Sequence, residues 1–522
     1  MNLQDQFDYL ILGAGPAGLQ LGYYLNQARH PYAILEEGDS PGSFFKKMPR
    51  HRRLLSINKV NTGYEDAEIN LRWDWNSLLT DDYQPGFPAY AKEYLPNADK
   101  LVRYLHDFAH RQQLNVRCGI KIVRVARDDT GFRAEDQNGQ VYKCRWLIVA
   151  TGLAKPYLPD VPGIQAAEHY DTVSIDPDGF RNQRVLIIGK GNSGFETANN
   201  LIDTAAVIHI ASPDYVTFAW QSHYVGDLRA VNNSFLDTYL LKSQNAALEV
   251  IVEKIERSGG GFEVTVSYLR AKKSRATYYY DRIIACTGFR FDDDMFDENC
   301  RPETIIDGRF PDQTCCWEAI NIPNMYFAGN LMQARDHRKT SSGFIHGFRY
   351  NIRALYRILE QRNHQRAWPS IEIGLWPGDA VSMIIQRLNR SSALWLQFGF
   401  LCDLIVEPDR QSPGRYYEEV PVDYAHTLEL CGDQPYYIAT LEYGRSDFDA
   451  LRDDRVAHTD VDHAIDSTAL HPVVRRYHRR NLLSEQHLIE NLEAIWDDKE
   501  LHVEPLRRFF EAVQVTQVRQ YP

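Results

Sequence analysis

The sequence lacks several features that would assign it to a simple class. Its eight cysteines include no Cys-x-x-Cys pair and no zinc-ligand spacing, which disfavours a dithiol relay and a zinc module. The polar start of the chain shows no secretion signal. The most apolar stretch, residues 393–406, is interrupted by Gln397 and Asp403 and is shorter than the roughly 20 residues that cross a bilayer. We therefore expect a buried helix there, no transmembrane segment and a cytoplasmic protein.

Basic residues are too few for a nucleic-acid partner. The 522 residues include 58 Lys and Arg against 70 Asp and Glu, a net charge of −12, and an excess of negative charge repels phosphates. Hydrophobic residues make up 44% and charged residues 25%, as in ordinary globular proteins. At roughly 150 residues per domain, the length predicts about three domains, or one large α/β enzyme with an extension.

A glycine-rich loop stands near the start of the chain. An apolar run over residues 9–12 enters Gly13-Ala14-Gly15-Pro16-Ala17-Gly18, and a helical pattern follows. In such a strand–turn–helix the glycines permit a tight turn and close packing, and the helix N-terminus faces a pyrophosphate. Glu36 ends the next apolar run, 18 residues after Gly18, where a carboxylate accepts ribose hydroxyls. A glycine turn with a solvated Glu36 is the alternative.

The same pattern occurs a second time. An apolar run over residues 184–188 leads into Gly189-Lys190-Gly191-Asn192-Ser193-Gly194 and another helix, and the two loops begin 176 residues apart. Two such loops predict two dinucleotides, one of which reduces the other. Three later runs, over residues 146–152, 282–289 and 325–330, are predicted to be strands that return to these units. Each places a turn of small residues at the carboxyl end of a strand, beside a ligand.

These motifs resemble those of flavoproteins with two dinucleotide-binding domains, especially the flavin-containing monooxygenases. Longer stretches, residues 41–45, 55–59, 74–79, 223–230 and 343–350, resemble more closely a family of FAD-dependent flavoproteins associated with endoplasmic-reticulum degradation. That family carries a signal peptide and a retention tail, so we expect a soluble, bacterial relative. The resemblance implies FAD and either NADPH or NADH as cofactors. The residues expected to bind them are Gly13, Gly15, Pro16, Ala17, Gly18, Glu36, Gly42, Phe45, Ala150, Thr151, Gly152, Gly329, Asn330 and Phe344 for FAD, and Gly189, Gly191, Asn192, Ser193, Ser212, Thr287 and Gly288 for NAD(P)H.

Four residues are candidates for catalysis. Asn58 stands where the monooxygenases place an active-site Asn that holds a flavin hydroperoxide, although it could also be a loop Asn that caps a turn. His346 is expected near a helix that points its N-terminus at the flavin ring, with a packing role as the alternative. Asp227 and Arg229 lie in residues 223–239, a segment that could border the substrate cleft. Alternatively, these two residues pair with each other and only fix the loop.

Two further features bear on chemistry. Residues 73–75, Trp-Asp-Trp, are similar to the Trp-x-Trp motif of flavin halogenases, but the Ile-Pro that follows in that motif is absent, so an aromatic wall or plain core is expected. After the second loop, Ser212 leads into Pro213-Asp214, where users of NADPH place an Arg. A carboxylate there repels a 2′-phosphate and accepts a 2′-hydroxyl, so NADH can compete with NADPH.

The predicted fold class is α/β, with two Rossmann-like dinucleotide-binding domains, the second inserted in the first, and a mixed α+β extension. The FAD domain is predicted at residues 1–165 and 320–362, the NAD(P)H domain at 170–290, a connector at 291–319 and the extension at 363–522. Within the extension, the run Tyr436 to Tyr443 is predicted to be a strand, and residues 485–496 and 503–513 show helical patterns. The extension could cap the site, bind a partner or mediate self-association. No metal is expected, because His458, Asp460, Asp462 and His463 match no ligand spacing.

The leading hypothesis is therefore an FAD-dependent, NAD(P)H-consuming monooxygenase that transfers oxygen from O2 to a small organic substrate through a flavin hydroperoxide. The alternatives are a flavin reductase or oxidase without oxygen insertion, a flavin halogenase-like enzyme, and a cofactor-stabilised binding protein.

Overall fold

The computed structural model describes residues 5–81, 86–241, 244–270, 273–409, 412–444, 456–457 and 459–520, so His458 lies outside the described residues. Three large sheets organise this part of the chain, and we call them the first, second and third sheet in order of sequence. No described helix is both long and apolar enough to pass through a membrane.

The first sheet follows the predicted pattern of a strand, a glycine turn and a helix. Its part of the chain comprises β1 (Gln6–Leu12), α1 (Pro16–Gln27), β2 (Tyr32–Glu36), α2 (Phe44–Lys47), α3 (Ala67–Asn70), α4 (Ala98–Arg111), β3 (Val116–Cys118), β4 (Ile122–Asp128), β5 (Gly131–Asp136) and β6 (Val141–Val149). The strand order is β3-β2-β1-β6-β5-β4. Strands β3, β2, β1 and β6 are parallel, while β4 and β5 are antiparallel additions.

The second sheet has the same plan. In the sequence, its segment is inserted between β6 and the last strand of the first sheet. Its elements are β7 (Lys155–Pro156), β8 (Glu168–His169), β9 (Arg184–Ile188), α5 (Asn192–Leu201), β10 (Val207–Ser212), α6 (Ala219–Ser222), α7 (Phe235–Leu240), β11 (Ala246–Ser258), β12 (Gly261–Tyr268), β13 (Arg275–Tyr280), β14 (Arg282–Ala285) and β15 (Phe289–Arg290). The order is β13-β12-β11-β10-β9-β14-β8, with a parallel core and an antiparallel meander. The inserted topology that the sequence predicts is therefore confirmed.

The chain passes between the two sheets through a short ribbon. Strand β7 follows the first sheet in the chain and β15 follows the second. The two strands pair antiparallel, Pro156 with Phe289 and Lys155 with Arg290. The chain then forms β16 (Thr304–Ile305), β17 (Phe310–Pro311), β18 (Met325–Phe327) and α8 (Ile345–His364). Strand β18 pairs parallel with the end of β6, as its apolar run predicts. The domain boundaries themselves stay a prediction, because strand pairing does not show what each unit binds.

The third sheet belongs to the extension and is antiparallel. Its elements are β19 (Ile371–Ile373), α9 (Gly378–Arg390), α10 (Ser392–Leu396), β20 (Leu401–Val406), β21 (Gly414–Pro421), α11 (Val422–Ala425), β22 (Tyr436–Glu442), β23 (His471–His478), β24 (Asn481–His487) and α12 (Glu504–Gln520). The predicted strand at Tyr436 and the helix near 503–513 are confirmed. The buried helix predicted over residues 393–406 is wrong, because only α10 is helical there and the apolar residues that follow form β20 in the centre of the sheet. The helical pattern over 485–496 is also wrong, because its first residues pair with β23.

A buried ionic network fastens the extension to the rest of the molecule. The Arg387 Nε on α9 donates to the Asp403 Oδ2 on β20 at 2.9 Å, and Asp403 is fully buried. On α8, Arg353 pairs with Glu419 of β21, which is also buried. Because a buried charge is costly unless it is paired, these contacts fix α8 and α9 against the third sheet.

Candidate functional site

The first glycine loop forms a cradle whose geometry only glycine permits. Gly13 has φ +105°, and a Cβ there would stand 2.7 Å from the Ala150 carbonyl oxygen. A Cβ at Gly18 would stand 2.0 Å from the Gly13 oxygen, whereas one at Gly15 would meet nothing within 4 Å. The loop is therefore packed behind Gly13 and Gly18 and open in front of Gly15, where a pyrophosphate can approach the N-terminus of α1.

The second glycine loop repeats this geometry. Gly189 has φ +115°, and its Cβ would lie 2.3 Å from the Cys286 oxygen. A Cβ at Gly194 would lie 2.2 Å from the Gly189 oxygen, and one at Gly191 would again meet nothing within 4 Å. Backbone hydrogen bonds match too, since the Gly13 N–H donates to Leu35 at 2.7 Å and the Gly189 N–H donates to Ala211 at 2.8 Å. The molecule thus contains two equivalent dinucleotide cradles.

The first cradle opens into a cavity of about 430 Å³, within the roughly 300–1,000 Å³ usual for ligand sites. Twelve of the predicted FAD-binding residues lie on its wall. They are Gly13, Gly15, Pro16, Ala17, Glu36, Phe45, Ala150, Thr151, Gly152, Gly329, Asn330 and Phe344. The other two predicted residues lie behind the wall. Gly18 packs on Gly13, and Gly42 packs on Leu105 of α4 while its N–H donates to the Ala14 carbonyl.

Glu36 stands at one end of this cavity and organises the loop around it. One carboxylate oxygen accepts from the Ala14 N–H at 2.7 Å. The other accepts from the Gly38 N–H at 2.8 Å and from the Ser43 hydroxyl at 2.6 Å. The side chain therefore has a fixed orientation, and its remaining lone pairs can accept ribose hydroxyls.

Two polar atoms on the cavity wall are buried without a partner among the described residues. They are the Thr151 Oγ1 and the Asn330 Oδ1. An unpaired buried polar atom is costly, so such atoms mark the place of a polar ligand. Together with the open face of Gly15 and the carboxylate of Glu36, they fit a dinucleotide such as FAD, which would supply the hydride-accepting flavin ring.

Asn58 does not lie on the cavity wall. Its side-chain Nδ2 donates to the carbonyls of Ala91 at 2.8 Å and Glu93 at 3.3 Å, and the residue is buried. Ser56, two residues earlier, lines the cavity instead. Because both amide hydrogens of Asn58 are engaged, its role as a hydrogen-bond donor in catalysis stays a prediction that requires rearrangement.

His346 lies in the first turn of α8, as predicted, and is sandwiched between aromatic rings. Its ring stacks on Trp75 at 4.0 Å and lies 5.8 Å from Phe344, which lines the cavity. Neither ring nitrogen has a partner among the described residues. Burial, and then the charges of Arg349 and Arg229, hold the pKa of His346 well below its usual range, so the ring is neutral. Trp75 does not line the cavity and packs against a core cluster that includes Leu79 and Tyr350, so of the two interpretations of residues 73–75 the structure favours core for Trp75.

Asp227 and Arg229 do not form the pair that one interpretation of the sequence proposed. Asp227 accepts from the Arg338 Nη2 at 2.8 Å. The Arg229 Nη1 donates to the Leu55 carbonyl at 2.7 Å, and its guanidinium lies 5.6 Å from the centre of the Trp75 ring. The two neighbouring side chains therefore point to different parts of the molecule, and Arg229 reaches from the second sheet towards the first.

The residues predicted at the second cradle lie around it. Asn192 begins α5, and its side chain donates to the Gly226 and Asp227 carbonyls and accepts from the Arg229 N–H at 3.0 Å. Ser193 follows it in the first turn. Ser212 ends β10, and Thr287 and Gly288 follow β14 as Thr151 and Gly152 follow β6. The Lys190 Nζ donates to the Asp214 carbonyl at 3.1 Å, so a cation stands beside the carboxylate that the sequence predicts at the ribose.

Several wall residues were not predicted. The position of Ser56 could have been predicted, because residues 55–59 carry the family resemblance. Within that stretch, however, the active-site role was assigned to Asn58. Ile120, Ile122 and Met295 line the cavity from distant parts of the chain, and a plain apolar residue gives no local signal for that position.

The extension reaches both sides of the site. The Gln397 Nε2 donates to the Asn351 Oδ1 at 2.7 Å and to the Ser342 hydroxyl at 3.0 Å, which supports the start of α8. The Tyr443 ring stacks on His223 at 3.8 Å, at the edge of the segment that covers the second cradle. The described residues of the extension thus do not line the cavity itself but contact the segments that support its wall.

Comparison with known proteins gives the same picture. A family model described as pyridine nucleotide-disulphide oxidoreductase matches residues 10–329. The FAD-dependent oxidoreductase domain-containing protein 2 of Mus musculus is 38% identical, over 98% of this chain and 85% of the relative. The confirmed resemblance therefore runs through the extension as well as the two cradles.

Two solved structures share the fold of the two cradles. A flavin-containing monooxygenase from Stenotrophomonas maltophilia has a TM-score of 0.53 at 20% identity and covers 68% of this chain and 98% of its own. The bacillithiol disulfide reductase of Staphylococcus aureus has a TM-score of 0.52 at 18% identity, covering 69% and 99%. Since one architecture serves both proteins, the fold alone does not select the chemistry.

Proposed function

Because the chain belongs to the pyridine nucleotide-disulphide oxidoreductase family, we propose that it is an FAD-dependent, NAD(P)H-consuming monooxygenase of a small organic molecule. The observation that carries this proposal is the pair of equivalent cradles, Gly13 to Gly18 and Gly189 to Gly194. One enzyme with two dinucleotide sites uses one cofactor to reduce the other.

The first cradle is proposed to hold FAD through the N-terminus of α1, Glu36, Thr151 and Asn330. The bound flavin would accept a hydride and pass electrons to an acceptor. The protein supplies a wall that includes aromatic and aliphatic side chains such as Phe45, Phe344 and Met295. Such a wall excludes water from the reacting centre.

The second cradle is proposed to hold NADH or NADPH at the N-terminus of α5. Asp214 disfavours a 2′-phosphate, while Lys190 beside it can offset that repulsion. Discrimination between the two nucleotides is therefore expected to be small, with NADH able to compete.

The cavity wall supports oxygen rather than a disulfide as the electron acceptor. None of the described residues on that wall is a cysteine. The adjacent Cys315 and Cys316 have sulfur atoms 3.8 Å apart but are not on the wall. A dithiol relay needs two redox cysteines at the flavin, so the proposed acceptor is O2.

A reductase or oxidase that does not insert oxygen is the second candidate, and the position of Asn58 favours it. The predicted hydrogen-bond donor for oxygen transfer gives its amide hydrogens to Ala91 and Glu93. If no other group takes its place, electrons delivered to O2 would leave as hydrogen peroxide.

Two measurements on the FAD-loaded full chain test these alternatives. Anaerobic mixing with NADH and, separately, NADPH should bleach the flavin; a flavin that stays oxidised with both contradicts the shared proposal. Turnover under ¹⁸O2 across a panel of amines, thioethers and ketones should then give labelled product with little peroxide. Peroxide equal to the nicotinamide consumed, without labelled product, establishes the second candidate.

The location is also a proposal. All eight cysteines are free, as is usual in a reducing compartment, and we propose the cytoplasm. Fractionation of the native host tests this, and self-association through the extension stays a prediction to be measured by sedimentation.

A further inference from the structure

We propose that the proposed enzyme takes a substrate that carries a carboxylate, and that Arg229 is the residue that binds it. This inference rests on the proposed function, because it assigns the substrate class of the same site. Its basis is the charge of Arg229 and the groups around it. The proposed transfer of electrons between the two cofactors gives Arg229 no role.

Arg229 is a half-buried cation without an acidic partner among the described residues. Among the described residues, its guanidinium has one hydrogen bond, from Nη1 to the Leu55 carbonyl. Burial lowers the pKa of its guanidinium, and no carboxylate offsets that effect. Since a charge removed from water is costly unless it is paired, a protein that keeps such a group has a use for its charge.

The position of the guanidinium points to the redox cavity. The backbone of Arg229 is fixed at the second cradle by its N–H to Asn192, but its side chain crosses to Leu55. Ser56, the next residue, lines the cavity. Trp75, which lies beneath the guanidinium, stacks on His346, and His346 faces Phe344 of the cavity wall.

The neighbouring groups favour an anion in this place. His346 is buried and neutral, and its two ring nitrogens have no partner among the described residues. Asp227, the nearest acid in sequence, is held by Arg338. In a chain with a net charge of −12, the positive charge of Arg229, which has no acidic partner among the described residues, would attract a negatively charged substrate to this place.

A carboxylate is the group that fits best. The planar guanidinium keeps the donors of its Nε and Nη2 for a fork-like pair with two oxygens. The phosphates of the nicotinamide cofactor are the competing anions. They are disfavoured because the guanidinium is bonded to the Leu55 carbonyl and has no hydrogen bond to the second glycine loop among the described residues.

Equilibrium binding to the oxidised FAD-loaded enzyme tests the proposal by calorimetry. The probes are three carboxylates and their neutral amides: acetate with acetamide, benzoate with benzamide, and phenylacetate with phenylacetamide. We expect at least one carboxylate to bind about tenfold or more tightly than its amide. Arg229→Gln should abolish that preference, and Arg229→Lys should retain part of it.

Arg145→Gln is the matched control, because Arg145 also lies over a tryptophan, 4.8 Å from the Trp146 ring, but is exposed, whereas Arg229 is half-buried and bonded to Leu55, next to the lining residue Ser56. It should bind all six probes as the wild type does. The proposal is overturned if no carboxylate is preferred, if the preference survives in Arg229→Gln, or if that variant weakens binding of NAD⁺ instead. FAD content and thermal unfolding of each variant show that it is folded.

The test of Arg229 can fail or succeed independently of the test of the proposed function. Carboxylate preference is measured without turnover, so it can hold in a protein whose flavin is not reduced by NAD(P)H. Conversely, a flavin that NADH bleaches in an enzyme that binds acids and amides equally would overturn only the assignment of Arg229.

Discussion

At the residue scale, the two cradles allow a paired test of which nucleotide each one holds. Gly18→Ala places a Cβ 2.0 Å from the Gly13 oxygen, and Gly194→Ala places one 2.2 Å from the Gly189 oxygen. We expect Gly18→Ala to purify with less than about a tenth of the wild-type FAD, because its loop must shift away from the pyrophosphate. Gly194→Ala should remain yellow but be bleached by NADH at least about tenfold more slowly. FAD content and anaerobic stopped-flow absorbance measure the two effects.

Gly179→Ala serves as the control for both variants. Gly179 is exposed, and a Cβ there would meet nothing within 4 Å. It should match the wild type in FAD content and in reduction rate. If Gly194→Ala lost its FAD and Gly18→Ala kept it, the assignment of the two cradles would be reversed. If both variants lost FAD or both kept it, the assignment would be contradicted.

Asp336 predicts a pH dependence of stability. Its carboxylate accepts from the Ser342 N–H at 3.2 Å and from the Thr340 hydroxyl, yet its other oxygen has no partner among the described residues. Burial raises its pKa from 3.8 to about 6. Folding therefore favours the protonated form, so the contribution of Asp336 to stability is fully present below about pH 4 and is lost as the pH rises through 6.

The expected loss is about 2 kcal/mol between pH 4 and pH 8. In Asp336→Asn this part of the pH dependence should disappear, and the difference between the two unfolding curves isolates it from other titrating groups. Denaturant unfolding at a series of pH values is the measurement. The exposed Asp433→Asn should follow the wild type, and parallel curves for wild type and Asp336→Asn would refute the raised pKa.

At the scale of elements, the ionic contact between α9 and β20 should be essential to the extension. Asp403 accepts from Arg387, from the Tyr416 hydroxyl at 2.8 Å and from the Glu419 N–H at 3.0 Å. Asp403→Asn removes the nearest charge partner of the buried Arg387, which keeps only the longer contacts of 3.5 Å to Glu418 and Glu419. We expect a loss of about 3 kcal/mol in the free energy of unfolding. Chemical denaturation measures it.

Asp433→Asn is the matched surface variant. The pair of Arg479 and Asp433 is exposed on both sides, so its removal should cost less than about 1 kcal/mol. Equal losses in the two variants would mean that burial does not strengthen the network.

The elements that the sequence predicts well are those fixed by local pattern. The runs that became β1, β9 and β18 are short, apolar and followed by small residues. Such runs form buried strands of parallel sheets, β1 and β9 between two neighbours and β18 beside β6. Residues 393–406 and 485–496 were predicted wrongly because their outcome depends on partners elsewhere. Strand β20 is apolar because it lies between β21 and β22, and β24 exists because β23 pairs with it. The spacing of apolar residues within one segment carries no information about partner strands elsewhere in the chain.

The residues of the candidate site also differ in whether a local sequence pattern predicts them. Gly13, Glu36 and Thr151 could be placed on the cavity because spacing to a glycine loop defines them. Ile120 and Met295 could not, since they come from the connection before β4 and from the chain after β15. The partner of Asp227 could not be predicted either, because Arg338 is 111 residues away.

At the scale of the whole molecule, the extension should influence the affinity for FAD. Gln397 supports Ser341, Ser342 and Asn351 around the start of α8, and Phe344, Ile345 and Phe348 from this start line the cavity. Gln397→Ala leaves these buried polar groups unpaired, which costs about 1–3 kcal/mol for each unsatisfied group. We expect the Kd for FAD to rise by about tenfold, measured by equilibrium dialysis of the apoprotein.

Gln434→Ala, in an exposed contact of the same extension, should leave the Kd for FAD unchanged. If Gln397→Ala unfolds more easily but binds FAD as tightly as the wild type, the extension only adds stability and does not shape the cavity.

The ribbon of β7 and β15 has a mechanical consequence. Both of its strands begin just after the Thr-Gly turns of the two cradles, at Thr151-Gly152 and Thr287-Gly288. A swing of the second sheet relative to the first would twist this ribbon and move both turns together. We therefore expect the ribbon to act as a hinge, so that the binding of a nucleotide in one cradle changes the position of the Thr-Gly turn in the other.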